Sequence, residues 1–127
     1  MAKILVAEDE IDVSFVLGEA LKKKAHTVSF AFDGEEALKK AKQENPDMII
    51  LDIMMPKMDG FAVHQELKKD PKTTKIFILV QTAKADARNI ILRDKAYEVD
   101  GFIEKPFDLT KFFNMVESVL KKVRIKD

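Results

Sequence analysis

The 127-residue chain has no cysteine, which excludes a disulfide framework and any thiolate chemistry. Its two histidines, His26 and His64, fall in different segments with no second ligand residue nearby. Each is therefore read as a surface or partly packed side chain rather than a metal ligand. No apolar run approaches the ~20 residues needed to cross a bilayer. The opening Met-Ala-Lys leads straight into a strand pattern, not a secretory signal. Neither charge is in excess: 22 basic and 22 acidic side chains cancel, so the long-range attraction that draws basic proteins to nucleic acid or a membrane is missing. Also missing are a glycine-rich phosphate loop before a helix, a serine or cysteine nucleophile motif and a nucleotide fingerprint. No repeat, linker or low-complexity segment interrupts the chain. The expectation is one cytoplasmic domain spanning 1–127 with no output domain. The basic residues Lys121, Lys122, Arg124 and Lys126 would solvate its last helix and face that helix's dipole.

What the chain does have is organised around Pro46–Pro56. Met48, Ile49, Ile50 and Leu51 form an apolar run without polar alternation, the pattern of a strand covered on both faces, and Asp52 stands where the run stops. A carboxylate held by a rigid strand but open to solvent at its carboxyl end is where an open α/β sheet usually places its chemistry. Ile4 to Ala7 is a similar short strand, ending on Glu8, Asp9 and Glu10. Val13, Val16, Leu17, Ala20 and Leu21 then recur at helical spacing. Thr27 to Ala31 reads as a second strand, and Asp33-Gly34 caps a helix whose buried face is Ala37, Leu38 and Ala41. Asp59-Gly60 marks a turn, after which Phe61, Val63 and Leu67 run to Lys69 as a short helix before Pro71. Ile76 to Val80 is a buried strand that ends on Gln81, Thr82 and Ala83. Ala87, Ile90 and Ile91 suggest a fourth helix, and Gly101 to Glu104 a short fifth strand before Lys105-Pro106. From Leu109, the pattern Phe112, Phe113, Val116, Val119, Leu120 predicts an amphipathic last helix.

Five strict strand-helix alternations predict an α/β fold: a doubly wound, five-stranded parallel sheet of order 2-1-3-4-5 with five helices, flavodoxin-like in its winding. That order puts the crevice between strands one and three, which end in Glu8-Asp9 and Asp52. Three converging carboxylates repel one another and ask for a cation. Carboxylate oxygens with room for water suit Mg²⁺ better than zinc. Thr82 and Lys105 end strands four and five on the same edge. With Mg²⁺ and loop amides they could bind phosphoryl oxygens, and a carboxylate beside such a clamp can form an aspartyl phosphate. Met54, Met55 and Met58 are read as filling gaps beside the loop rather than binding metal.

Glu8-Asp9, the segment Leu51-Asp52-Ile53-Met54-Met55-Pro56-Lys57-Met58-Asp59-Gly60, Thr82-Ala83 and Lys105-Pro106-Phe107 together resemble the CheY-like receiver domain of two-component response regulators. The 2-1-3-4-5 order is the one that family and flavodoxin share, so topology and resemblance are not independent. The resemblance implies that Asp52 is the phosphoacceptor and that Glu8, Asp9, Asp52 and the Met54 backbone carbonyl arrange Mg²⁺. It implies that Lys105 and Thr82 contact the phosphoryl group, that Phe102 stands at the family's switch aromatic, and that the Lys105-Pro106 bond is cis. Two departures stand out. Lys95-Ala96-Tyr97-Glu98-Val99-Asp100-Gly101 lacks the glycine that commonly closes the fourth helix, and the interval from Thr82 to Phe102 is one residue longer. Phe102 also lacks the hydroxyl of the tyrosine often found there.

The function expected from these residues is a phosphorylation-controlled binding module. A histidine kinase or phosphotransfer protein donates to Asp52, and the product changes affinity for a downstream protein through the fourth helix, fifth strand and last helix, with Tyr97 and the rim lysines as candidate contacts. Such a module catalyses its own phosphoryl transfer and dephosphorylation but is not a dedicated enzyme, and it binds neither nucleic acid nor membrane directly. The alternative is a Mg²⁺-dependent phosphohydrolase with an aspartyl-phosphate intermediate. Those enzymes commonly place a second acid two residues after the nucleophile, where this chain has Met54. A flavin-binding protein of the same fold would need a hydroxyl-rich phosphate loop after strand one, where Glu8-Asp9-Glu10 would repel phosphate.

Overall fold

The computed structural model describes residues 2–82, 99–105 and 108–126, the side chains of 82 and 122–126 excepted. β1(Lys3–Ala7), β2(Thr27–Ala31), β3(Met48–Asp52), β4(Phe77–Thr82) and β5(Gly101–Glu104) form one sheet in the order β2-β1-β3-β4-β5. All four pairings are parallel. Four helices lie among the described residues: α1(Ile11–Lys23), α2(Gly34–Glu44), α3(Gly60–Lys69) and α4(Leu109–Lys126), the last being the amphipathic helix expected from Leu109. The fourth expected helix, with Ala87, Ile90, Ile91 and Tyr97, lies outside the described residues, as do Ala83, Pro106, Phe107 and the altered interval before Val99.

Because successive strand residues point to opposite faces, each central strand feeds two cores. Leu5, Ile49, Leu51, Ile78 and Val80 pack on one side with Ala37 and Ala41 of α2 and Val63 and Leu67 of α3. Ile4, Val6, Met48, Ile50 and Leu79 pack on the other with Leu17 and Leu21 of α1 and Phe112, Val116 and Val119 of α4. β3 is buried along its whole length, as its unbroken apolar run requires.

Local signals set the helix ends. The Asp33 side chain accepts from the Glu36 amide, and the Asp59 side chain from the Ala62 amide, so each aspartate caps its helix. Asn45 closes α2 in the left-handed conformation (φ 48°) just before Pro46. α1 differs from its sequence pattern. Its inward residues are Ser14, Leu17, Gly18, Ala20 and Leu21, whereas Val16 is exposed. Gly18 lets the Phe30 ring lie against the helix, since a Cβ there would fall 2.3 Å from Phe30 Cζ. Leu109, expected on the packed stripe of the last helix, is also exposed.

Candidate functional site

One face of the sheet runs apolar until its carboxyl edge and then turns polar on all of its inner strands. In β1 the sequence along this face is Ile4, Val6, Glu8; in β3 it is Met48, Ile50, Asp52; in β4 it is Phe77, Leu79, Gln81. The pairing aligns Val6 with Ile50 and Ile50 with Leu79, then Asp52 with Gln81 and Gln81 with Ile103. Glu8 directly follows Ala7, the partner of Leu51, and therefore continues the same row. Lys105, two residues past Ile103, brings an ammonium to its end.

The contacts follow from that alignment. Lys105 Nζ lies 3.0 Å from Asp52 Oδ2 and also donates to Glu8 Oε1. Gln81 Nε2 donates to the same Glu8 oxygen at 3.4 Å, and the Glu10 amide donates to Glu8 Oε2 at 3.3 Å. The Met54 amide donates to Asp52 Oδ1 at 3.0 Å. Two ties fix the Glu8 backbone: its amide donates to the Ala31 carbonyl at 3.0 Å, and Ser14 Oγ donates to its carbonyl at 3.1 Å. Glu8 is 0% exposed and Asp52 is 4% exposed, while Asp9 stands in the solvent. A ligand atom from each of Glu8, Asp9 and Asp52 falls within 4.8 Å of the others.

Burial pushes the Glu8 carboxyl up to about 7; Lys105 opposes the shift and the neighbouring Asp52 adds to it. Burial works against the Lys105 ammonium, but its hydrogen bonds to Glu8 and Asp52 outweigh that, and its pKa lies above the ordinary lysine value. Glu8 and Asp52 thus share a single ammonium, that of Lys105. An added divalent cation would relieve that shortage, and an exposed Asp9 beside two buried carboxylates gives it an entry side.

Glu8, Asp9, Asp52 and Lys105 are therefore brought together as expected from the sequence. Thr82 closes β4 opposite Glu104. Asp52 is more enclosed than a solvent-open strand end, because Lys105 and the Met54 amide occupy its oxygens. The methionines divide: Met55 is buried and Met58 packs on the core, but Met54 is 49% exposed and fills no gap. Phe102 is half-buried and packs, with Val99, on the core shared by α2 and α3. Neither histidine is a surface group. His64 is buried in α3, and His26 is buried with Nδ1 accepting from the Ala2 amide at 3.0 Å. Two site residues carried no flag in the sequence reading, Ser14 and Gln81. The second had a signal, since it is the first polar residue in the Phe77-Leu79-Gln81 alternation.

Acid pair after β1, aspartate ending β3 and lysine after β5, on a doubly wound sheet of this order, define a receiver module. Residues 4–117 match the family described as "Response regulator receiver domain", and the chain belongs to that family of two-component signalling domains. It is 40% identical over 121 residues to the response regulator PleD of Caulobacter vibrioides, covering 94% of this chain and 26% of that protein. It is 37% identical over 123 residues to the alkaline phosphatase synthesis transcriptional regulatory protein PhoP of Bacillus subtilis, covering 97% of this chain and 50% of that one. The chain thus spans about half the length, or less, of these curated relatives. Among solved structures, the chemotaxis protein CheY4 of Vibrio cholerae aligns with a TM-score of 0.84 at 29% identity, over 94% of this chain and 98% of that one. The receiver domain of a Syntrophus aciditrophicus signal transduction histidine kinase aligns at 0.86 and 28% identity, over 97% and 92%. No helix among the described residues is long and apolar enough to cross a membrane.

Proposed function

We propose that the domain is a Mg²⁺-dependent switch: Asp52 accepts a phosphoryl group from a phosphohistidine on a kinase or phosphotransfer protein, and the phosphorylated form changes its affinity for another protein. The observation that carries this reading is the Asp52 carboxylate held between Lys105 and the Met54 amide, beside two further acids. Glu8, Asp9 and Asp52, with the Met54 carbonyl, would hold the cation, which supplies charge neutralisation for the transferring phosphoryl oxygens.

In the transfer, an Asp52 oxygen attacks phosphorus and the P–N bond to the donor imidazole breaks. Its electron pair leaves on the imidazole nitrogen, which takes a proton from solvent. The Met54 amide fixes the carboxylate's orientation, and Lys105, already 3.0 Å away, follows the negative charge onto the phosphoryl group. Thr82 would supply a hydroxyl to that group.

The surroundings support a protein donor. The exposed large apolar side chains among the described residues are Ile11, Phe15, Val16, Phe32, Met54 and Leu109. They lie in the first turns of α1, just after β2, just after β3 and at the start of α4. A groove of about 520 Å³ between α1 and α4 is lined by Glu10, Val13, Val16, Leu17, Asp108 and Leu109, and by the site's own Lys105. An apolar surface around a charged centre suits a docked protein better than a free phosphate ester. The output would leave through Phe102, β5, α4 and the segment 83–98, as a cytoplasmic protein contact. An exposed methionine in place of a second acid at position 54 disfavours the phosphohydrolase, so the domain would act only on its own aspartyl phosphate. Incubation with Mg²⁺ and acetyl phosphate tests this: about one acid-stable, base-labile phosphoryl adduct per chain is expected, whereas many turnovers without an adduct would favour the hydrolase.

A further inference from the structure

Gln81 is a buried amide in a strand whose other members on the same face are Phe77 and Leu79. It is 0% exposed, its Nε2 donates to Glu8 Oε1, and its Oε1 has no hydrogen-bond partner among the described residues. A half-satisfied buried amide costs stability that an apolar side chain of the same length would not. Packing therefore gives no reason for an amide here, and the site does. Among the described residues, the Glu8 oxygen that Gln81 reaches has one other donor, Lys105. That ammonium also serves Asp52.

We infer that Gln81 is a positioning residue of the acidic site, a neutral donor that keeps the Glu8 carboxylate aimed at the cation when Lys105 turns to the phosphoryl group. The reasoning is electrostatic. Lys105 on Glu8 opposes cation binding because it neutralises the same oxygen. An amide N–H orients that oxygen without competing for its charge, as groups behind metal ligands generally do. This inference rests on the reading of Glu8, Asp9 and Asp52 as a divalent-cation site.

The test is a Mg²⁺ titration of the unphosphorylated chain, followed by amide chemical shifts, for wild type, Gln81→Met and Gln81→Leu, with thermal melting of each. The expected result is a Mg²⁺ dissociation constant raised about tenfold in both variants, the lower end of what loss of an outer-shell partner costs. Melting temperatures should be equal to or above wild type without Mg²⁺, because the buried unpaired oxygen is gone. If both variants bind Mg²⁺ within twofold of wild type, or if both fail to fold, Gln81 is a core residue and the inference is overturned. If wild type itself shows no Mg²⁺-dependent shifts, the cation reading falls and the role of Gln81 falls with it.

Discussion

Val6, Ile50 and Leu79 form one row across β1, β3 and β4; Glu8, Asp52 and Gln81 form the next, two residues and about 7 Å further along the same strands and the same face. Both rows are buried. In the lower row burial is the stabilising event, worth about 1.5 to 3 kcal/mol for each large apolar side chain. In the upper row burial opposes charge: it lifts Glu8 far above the ordinary carboxylate range and makes two anions depend on one lysine. One sheet thus uses the same exclusion of water to hold itself together at one level and to hold charged groups short of compensation at the next.

The comparison breaks most completely at Asp52. Asp52→Asn should abolish labelling by acetyl phosphate in Mg²⁺ while the melting temperature stays at or above wild type, since one of two facing carboxylates is gone. Persistent labelling would move the phosphoacceptor elsewhere. The mirror-image change, Ile50→Ala one step below, should cost about 3 kcal/mol in denaturant unfolding and leave labelling of the folded fraction intact. A loss below about 1 kcal/mol would mean that the lower row is not the packing layer.

The rows also differ in their response to acid. With the Glu8 pKa at about 7 in the folded protein against 4.5 ordinarily, the folded state binds the proton more tightly. Metal-free protein should therefore lose stability as pH rises from about 4.5 to about 7, by on the order of 1 to 3 kcal/mol, and level off above. Glu8→Gln should flatten that slope in unfolding curves taken across the window; an unchanged slope would place the titrating group elsewhere. The smallest effect belongs outside both rows. Lys57 sits in the β3–α3 loop at φ 68°, a conformation that favours glycine. Its ion pair to Asp33 is exposed and long at 3.6 Å. Lys57→Gly should gain about 0.5 kcal/mol once the lost pair and the freer unfolded chain are counted, with labelling unchanged.

Strand positions, the Asp33 cap and the acidic cluster were legible because each leaves a local mark: unbroken apolar runs, Asp33-Gly34 before its helix, and carboxylates where runs stop. Glu8, Asp9, Asp52 and Lys105 could be named from chain position alone, since parallel strands gather their carboxyl ends at one edge. Gln81 escaped because a polar residue at a strand's end reads as solvation; only the register with Asp52 and Ile103 shows that it is enclosed. Val16 and Leu109 carried the right spacing for a core but lie beyond the width of the surfaces their helices cover. Apolar periodicity alone does not mark where a stripe stops packing. The burial of both histidines was likewise set by tertiary packing, which the short segments around them do not encode.

The start of α2 meets the loop that follows Asp52 without clearance. The Gly34 amide donates to the Pro56 carbonyl at 3.3 Å, a Cβ on Gly34 would fall 1.7 Å from the Met58 carbonyl oxygen, and one on Gly60 would fall 2.6 Å from that of Asp52. Backbone pressed on backbone makes this flank a fixed wall. The opposite flank, between α1 and α4, is a groove with side chains for walls. Among the described residues the two flanks of the site thus differ in kind, one bounded by backbone and the other by side chains.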